Sequence, residues 1–300
     1  MSAPTQIPGA LAAMLAQVSI EVTARERGVA EKLRARFEPG MPVHVTYLPD
    51  DARDDIETAC TELRAAGYNP VPHLTARNFV DHESLERHLA RLSEAAKIDR
   101  VLAISGDVDR PRGAFSSTAE LMRTGLLEKY GVRTVLLAGH PEGHPAVEDD
   151  ELDAALQEKV AMARERGLAP EIVTQFCFEA EPIIGWLRHI RALGIDAPVR
   201  VGMAGPAGTA TLLKFAVRCG IGNSLRALRR RVNIAKLMGD TAPDEILRDV
   251  AESVEARGLG PLAGVHIYMF GGMQKTSEWL SKARSEAAGA RSAVLGSTGS

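Results

Sequence analysis

With 300 residues, 45% of them hydrophobic and 25% charged, the chain has enough apolar material to bury a sizeable globular core. A formal net charge of −3 argues against nucleic acid or an anionic membrane as a partner. The three cysteines, Cys60, Cys177 and Cys219, have no paired spacing and read as reduced, mostly buried thiols of a cytoplasmic protein.

Residues 1–18 are expected to be a leader segment. The stretch from Ile7 to Val18 is mildly apolar, but Pro8 and Gly9 break it and no basic residues precede it. It is too short to span a bilayer, so no export signal is read. From Ser19 onward a beat repeats: a short β-rich run, a loop, then a charged amphipathic helix. Strands are expected at Ser19–Val22, Val43–Tyr47, Pro70–Leu74, Arg100–Ile104, Arg133–Ala138, Glu171–Phe176, Val199–Gly202 and Gly264–Tyr268. Runs such as Val101-Leu102-Ala103-Ile104 and Val135-Leu136-Leu137-Ala138 are apolar throughout, as strands covered on both faces are. Helices are expected at Asp51–Ala66, His82–Lys97, Asp149–Arg166 and Glu181–Leu193; Leu85, Leu89 and Leu92 recur on one face of the second. The stretch from Gly220 to Gly260 is longer than one crossover needs, which places an extra helix before the last strand.

Eight strands alternating with helices predict a single-domain (β/α)8 TIM barrel over residues 19–285, followed by a flexible tail, 286–300, in Ala/Ser/Gly-rich sequence. An open doubly wound sheet is the alternative, because alternation alone does not fix closure. In a barrel the chemistry collects where strands end. Those positions carry Glu21, Thr46, His73, Asp107, His140, His144, Gln175 and Tyr268. Each has an ordinary structural reading: Glu21 in a salt bridge, Asp107 capping a turn, His73 as a hydrogen-bonded core histidine. Gln175, in the apolar run Val173–Phe178, needs partners if buried and is expected to contact a ligand. His140 and His144 stand four apart, but Pro141, Gly143 and Pro145 make the segment a loop rather than a helical zinc motif, so no metal is expected. Gly202–Gly208 matches neither the dinucleotide fingerprint nor the P-loop and offers at most backbone donors to a phosphate. Arg226, Arg229, Arg230 and Arg231 read as a solvated helix face.

Taken in order, Ser19-Ile20-Glu21, Val45-Thr46-Tyr47, Pro72-His73-Leu74-Thr75, Gly106-Asp107, His140-Pro141-Glu142-Gly143-His144-Pro145, Glu158-Lys159-Val160, Thr174-Gln175-Phe176, Lys214-Phe215-Ala216 and His266-Ile267-Tyr268 resemble the methylenetetrahydrofolate reductase family. The resemblance implies a barrel that binds FAD and uses NADH or NADPH to interconvert 5,10-methylenetetrahydrofolate and 5-methyltetrahydrofolate in one-carbon metabolism and methionine biosynthesis. It implies a cytoplasmic enzyme, with homo-oligomerisation left open. By the same resemblance Glu21 is the acid that opens the folate ring and Asp107 lies near both flavin and pterin. Gln175 hydrogen-bonds the pterin and Phe215 stacks on the substrate. Thr46, His73, His140, His144, Lys159 and Tyr268 line the flavin site.

The chain departs from the family at Val22-Thr23-Ala24-Arg25, where an aromatic-proline segment is usual, at Ser105, where many members carry arginine, and at His140, where tyrosine is common. These departures fall on the flavin side, so direct hydride transfer from the nicotinamide is the chemical alternative. A metal-dependent barrel hydrolase or lyase using His73, His140 and His144, and a non-catalytic barrel, are the rivals from other classes.

Overall fold

The parallel strands come from short β-branched and leucine-rich runs, each followed by a helix that covers its outer face. In the computed structural model, which describes residues 9–48, 50–108, 110–219, 221 and 240–297, they run β1 (Val18–Thr23), β2 (Pro42–Thr46), β3 (Asn69–Thr75), β4 (Arg100–Ile104), β5 (Thr134–Gly139), β6 (Ala169–Thr174), β7 (Val199–Ala204) and β8 (Leu262–Tyr268). They close into one barrel in the order β1-β8-β7-β6-β5-β4-β3-β2. The expected (β/α)8 barrel is therefore the fold, and the open sheet is excluded. A separate two-stranded antiparallel ribbon joins Ala207–Gly208 to Asp240–Thr241.

Most elements begin or end one or two residues from the expected position, and two differences bear on the reading of the sequence. β6 ends at Thr174, so Gln175 is the first residue beyond the strand rather than a residue within it. The last helix, Met273–Ser297, runs through most of the segment expected as a flexible tail, and it buries Ala283 and Ala287. An Ala-rich composition favours helix as much as it suggests disorder, because alanine loses no side-chain entropy there. Residues 9–16, within the expected leader, form a helix that buries Leu11, Met14 and Leu15. The extra helix before the last strand is present at Asp244–Arg257. The cluster from Arg226 to Arg231 lies outside the described residues.

The chain forms two compact units, one of residues Met1–Val18, His140–Val147 and Thr174–Ser300, the other of Ser19–Gly139 and Glu148–Val173. In the second, Val71, Leu102, Leu136 and Val173 cluster on the inner face of the sheet. Side chains alternate along a strand, so His73 and Thr75 share the face of Val71. The registers His44↔Val71 and Glu21↔His44 bring His44, Thr46 and Glu21 onto it as well. On the outer side two helices, Arg53–Ala65 and His82–Ala96, bury Ile56, Leu63, Leu85, Leu89 and Leu92. The second starts at a capping box in which Asp81 and Ser84 satisfy each other's backbone N–H groups.

Candidate active site

In the unit of residues 19–139 and 148–173 the inner face becomes polar toward the strand ends. Glu21 is half-buried and is the register partner of the buried His44. His44 Nδ1 and His73 Nε2 share a hydrogen bond of 3.2 Å, with the rings edge-on at 5.4 Å. The structural reading of His73 as a hydrogen-bonded core histidine thus describes its Nε2, and His44 is a partner that motif reasoning passed over. Its signal was available: His44 has the same strand parity as Thr46.

The hydroxyls of Thr46 and Thr75, the last residues of β2 and β3, are buried and have no hydrogen-bond partner among the described residues. An unmet buried hydroxyl costs about 1–3 kcal/mol, which a bound ligand would recover. Thr75 is the second residue that the sequence reading passed over. Lys159, on the helix Asp149–Glu165, is half-buried, and burial pulls its pKa below the ordinary lysine value.

Asp107 is exposed on the loop after β4, next to Gly106, whose φ of +99° suits glycine. Arg77 holds that loop at several points, beside the bond from Ala114 N to Val80 O (3.0 Å). Arg77 donates its backbone N–H to Ser105 O (2.9 Å), Nε to Ser116 O (2.9 Å) and Nη1 to Val108 O (3.3 Å), while its own carbonyl accepts from Arg112 N (2.8 Å). An arginine after Pro-His-Leu-Thr-Ala gave no motif signal, because its partners are all backbone groups of a segment distant in sequence.

In the unit of residues 1–18, 140–147 and 174–300 the site residues are mostly aromatic. Gln175 turns back on its own chain, its Oε1 accepting from Phe176 N at 3.1 Å, which leaves the amide NH2 as the donor for a ligand. Phe176 touches Phe178, Tyr268 and Phe270 at centroid distances of 5.5, 5.4 and 4.8 Å. Phe215, on the helix Thr209–Arg218, stacks on Phe270 at 4.0 Å and 15°. Tyr268 lies nearly parallel to Phe270 at 5.7 Å and 19°. The structure thus joins Phe215 and Tyr268, through the unanticipated Phe270 and Phe176.

Tyr268 donates its hydroxyl to Thr174 O (3.1 Å), and Gly202 N donates to Thr174 Oγ1 (2.8 Å). A Cβ on Gly202 would sit 2.0 Å from Thr174 O, so glycine here serves strand packing. Gly205 N donates to Tyr268 O. These two donors of the glycine-bearing run are engaged within the protein, and the phosphate reading is withdrawn for them.

His140 and His144 meet edge-on at 5.4 Å on a loop, where His144 Nδ1 accepts from Ala146 N. Burial and the neighbouring Glu142 raise the pKa of Cys177 well above the ordinary thiol value, so Cys177 tethers this loop as a neutral thiol rather than acting as a nucleophile. Among the described residues, no group of three or more His, Cys, Asp or Glu is arranged to hold a metal ion.

A closed parallel barrel, with polar side chains at the strand ends of one unit and aromatic ones at those of the other, defines a (β/α)8 protein. The chain belongs to the methylenetetrahydrofolate reductase family, whose sequence model matches residues 22–223. Asp107, Gln175 and Phe215 fall inside the matched stretch; Glu21 and Tyr268 lie outside it. Methylenetetrahydrofolate reductase 2 of Saccharomyces cerevisiae is 23% identical over 202 residues, covering 61% of this chain and 32% of that protein. The match therefore spans about a third of that relative's length. Among solved structures, dihydropteroate synthase from Thermus thermophilus aligns with 89% of this chain and 92% of its own at 16% identity and a TM-score of 0.45. The 3-dehydroquinate dehydratase from Aquifex aeolicus aligns with 67% and 86% at 12% identity and a TM-score of 0.42. No described helix is long and apolar enough to cross a membrane.

Proposed function

We propose that this chain is an oxidoreductase of the methylenetetrahydrofolate reductase type, interconverting 5,10-methylenetetrahydrofolate and 5-methyltetrahydrofolate with NADH or NADPH. The observation that carries the reading is the family match across residues 22–223. In the reductive direction NAD(P)H gives up a hydride, the five-membered folate ring opens at one C–N bond as its nitrogen takes a proton, and the bridging carbon becomes a methyl group. Glu21 supplies that proton from its half-buried place on β1. Asp107 lies at the reacting rings, the Gln175 amide donates to the pterin, and Phe215 offers a flat face. Protein groups here orient flat rings and hold charge, since hydride transfer needs no protein nucleophile.

The polar groups of the unit holding β1 to β5 fit FAD. Thr46 offers a buried hydroxyl without a partner, and Lys159 is a desolvated cation whose charged form a phosphate would stabilise. His73 belongs to the same unit; His140, His144 and Tyr268, in the other unit, are the remaining residues assigned to the flavin by the family resemblance. When bound, the flavin supplies a two-electron hydride carrier. One observation favours a second reading, hydride transfer directly from the nicotinamide: His73, assigned to the flavin, has its Nε2 engaged by His44. The absorbance spectrum of the purified protein separates the two. Flavin bands that bleach on adding NADH or NADPH support the first. A colourless protein that turns over 5,10-methylenetetrahydrofolate with NADH or NADPH selects the second, and absence of folate turnover under either condition overturns both.

A further inference from the structure

We propose that Phe270 is a built-in competitor for the pterin: its ring covers the face of Phe215 on which a flat substrate would stack, and substrate binds by displacing it. The inference rests on the folate reading of Phe215 above. Phe215 and Phe270 lie 4.0 Å apart and within 15° of parallel, a spacing that admits no third ring between them. Aromatic side chains ordinarily prefer offset or edge-to-face contacts at about 4.5–7 Å, because stacked ring faces repel electrostatically. So close a face-to-face pair is a weak partner for Phe215. The pyrimidinone ring of a folate, free to lie offset over Phe215 and carrying polar edge groups, is a better one.

Both rings are only half-buried, so the stack reaches solvent on one side. The backbone around Phe270 is held on either side. Phe270 N donates to Tyr268 O (2.8 Å) and Gly272 N to Met269 O (2.9 Å). Gly271 is pressed so closely against Pro206 that a Cβ would lie 1.9 Å from its carbonyl oxygen. The segment is therefore fixed, while the ring packs edge-on against Phe176 at 4.8 Å as well as on Phe215. Displacement is a side-chain rotation between staggered wells that gives up both ring contacts and requires no loop movement. Tyr268, nearly parallel to Phe270 at 5.7 Å, stays as a flat neighbour of the site when the ring swings out. Phe270 thus sets a threshold: a ligand must stack on Phe215 better than phenylalanine does. Flat heteroaromatic rings pass it and aliphatic ligands do not.

Isothermal titration calorimetry with 5-methyltetrahydrofolate tests this on the full chain, comparing the parent with Phe270→Ala, Phe270→Leu, Phe215→Ala and the Phe215→Ala/Phe270→Ala pair. A competing aromatic pair worth ~0.5–1.5 kcal/mol predicts that Phe270→Ala binds about 2- to 12-fold more tightly than the parent. Phe215→Ala should bind more weakly, and the double variant should match Phe215→Ala alone. Phe270→Leu, which keeps bulk without a flat face, carries the comparison if the alanine variant does not fold. Equal or weaker binding by the Phe270 variants in protein that turns over folate overturns the competitor and leaves the functional reading intact. Pterin-6-carboxylate serves as a second probe. If it binds more tightly to Phe270→Ala while folate turnover is absent, the competitor stands and the functional reading falls; if neither probe binds any variant, both fall.

Discussion

Glu21 reaches the inner face of β1 by alternation alone, since Ile20 and Val22 point to the outer helices and Ser19, Glu21 and Thr23 point the other way. Replacing it with glutamine keeps shape and removes the acid. Glu21→Gln is expected to lower folate turnover by ~100-fold or more while 5-methyltetrahydrofolate binding persists; near-normal steady-state turnover would reassign the proton donor. Arg77 acts at one remove, through the loop that carries Asp107. Lysine cannot reproduce its fork to two carbonyls, so Arg77→Lys and Arg77→Ala should both lower kcat, by roughly 10- to 100-fold, with a smaller change in KM. In an Asp107→Asn background the same substitutions should add little, because the loop then positions nothing. Trypsin reports the loop directly: cleavage after Arg112 should accelerate in the Arg77 variants, whereas Arg110 is shielded by Pro111. Additive losses in the double variant would assign Arg77 a purely structural role. Glu21 and Asp107 stood out in the sequence as candidates, each a single residue in a motif. Arg77 and His44 were not, because their meaning lies in partners about 30 residues away.

At the scale of elements, the helices Arg53–Ala65 and His82–Ala96 pack through leucines and alanines but share one buried polar pair. His88 Nδ1 donates to Glu57 Oε1 at 2.7 Å, and Arg91 Nη1 bonds Glu57 Oε2 at 3.1 Å. Burial drives the pKa of His88 below its ordinary 6.5, against the pull of Glu57, so the folded state holds it neutral. For Glu57, burial acts to raise the pKa, but the hydrogen bonds from His88 and Arg91 outweigh it and the net shift is downward from 4.5. Both shifts have the same consequence. The unfolded chain takes up protons that the folded chain does not, first on His88 as pH falls through about 6.5, then on Glu57 below about 4.5. Stability is fully present above the first value and falls progressively on acidification. Thermal melts of His88→Gln should therefore show a flatter dependence between pH 7 and pH 5 than the parent, and parallel curves would remove His88 from the account. The leucine stripe that pairs these helices was plain in the sequence. His88 was not, since a histidine on an apolar helix face signals burial but not its partner.

For the molecule as a whole, the alternation of apolar strands and amphipathic helices determined the architecture, because each element's periodicity depends only on which of its faces meets water. Strand positions, the extra helix before β8 and the family motifs all followed from local order along the chain. Closure of the barrel was decided by tertiary pairing of β1 with β8, an event between the two ends of the barrel sequence that no local pattern encodes. The start of the last helix was likewise decided by packing, which buries Ala283 and Ala287 in a stretch whose composition alone suggests disorder. The chemistry divides in the same way. Residue types at strand ends were readable, since a strand's end is a local fact. Which groups are already engaged, as His73 is by His44 and Phe215 by Phe270, depends on contacts between strands and loops far apart in sequence, and only the fold brings those together.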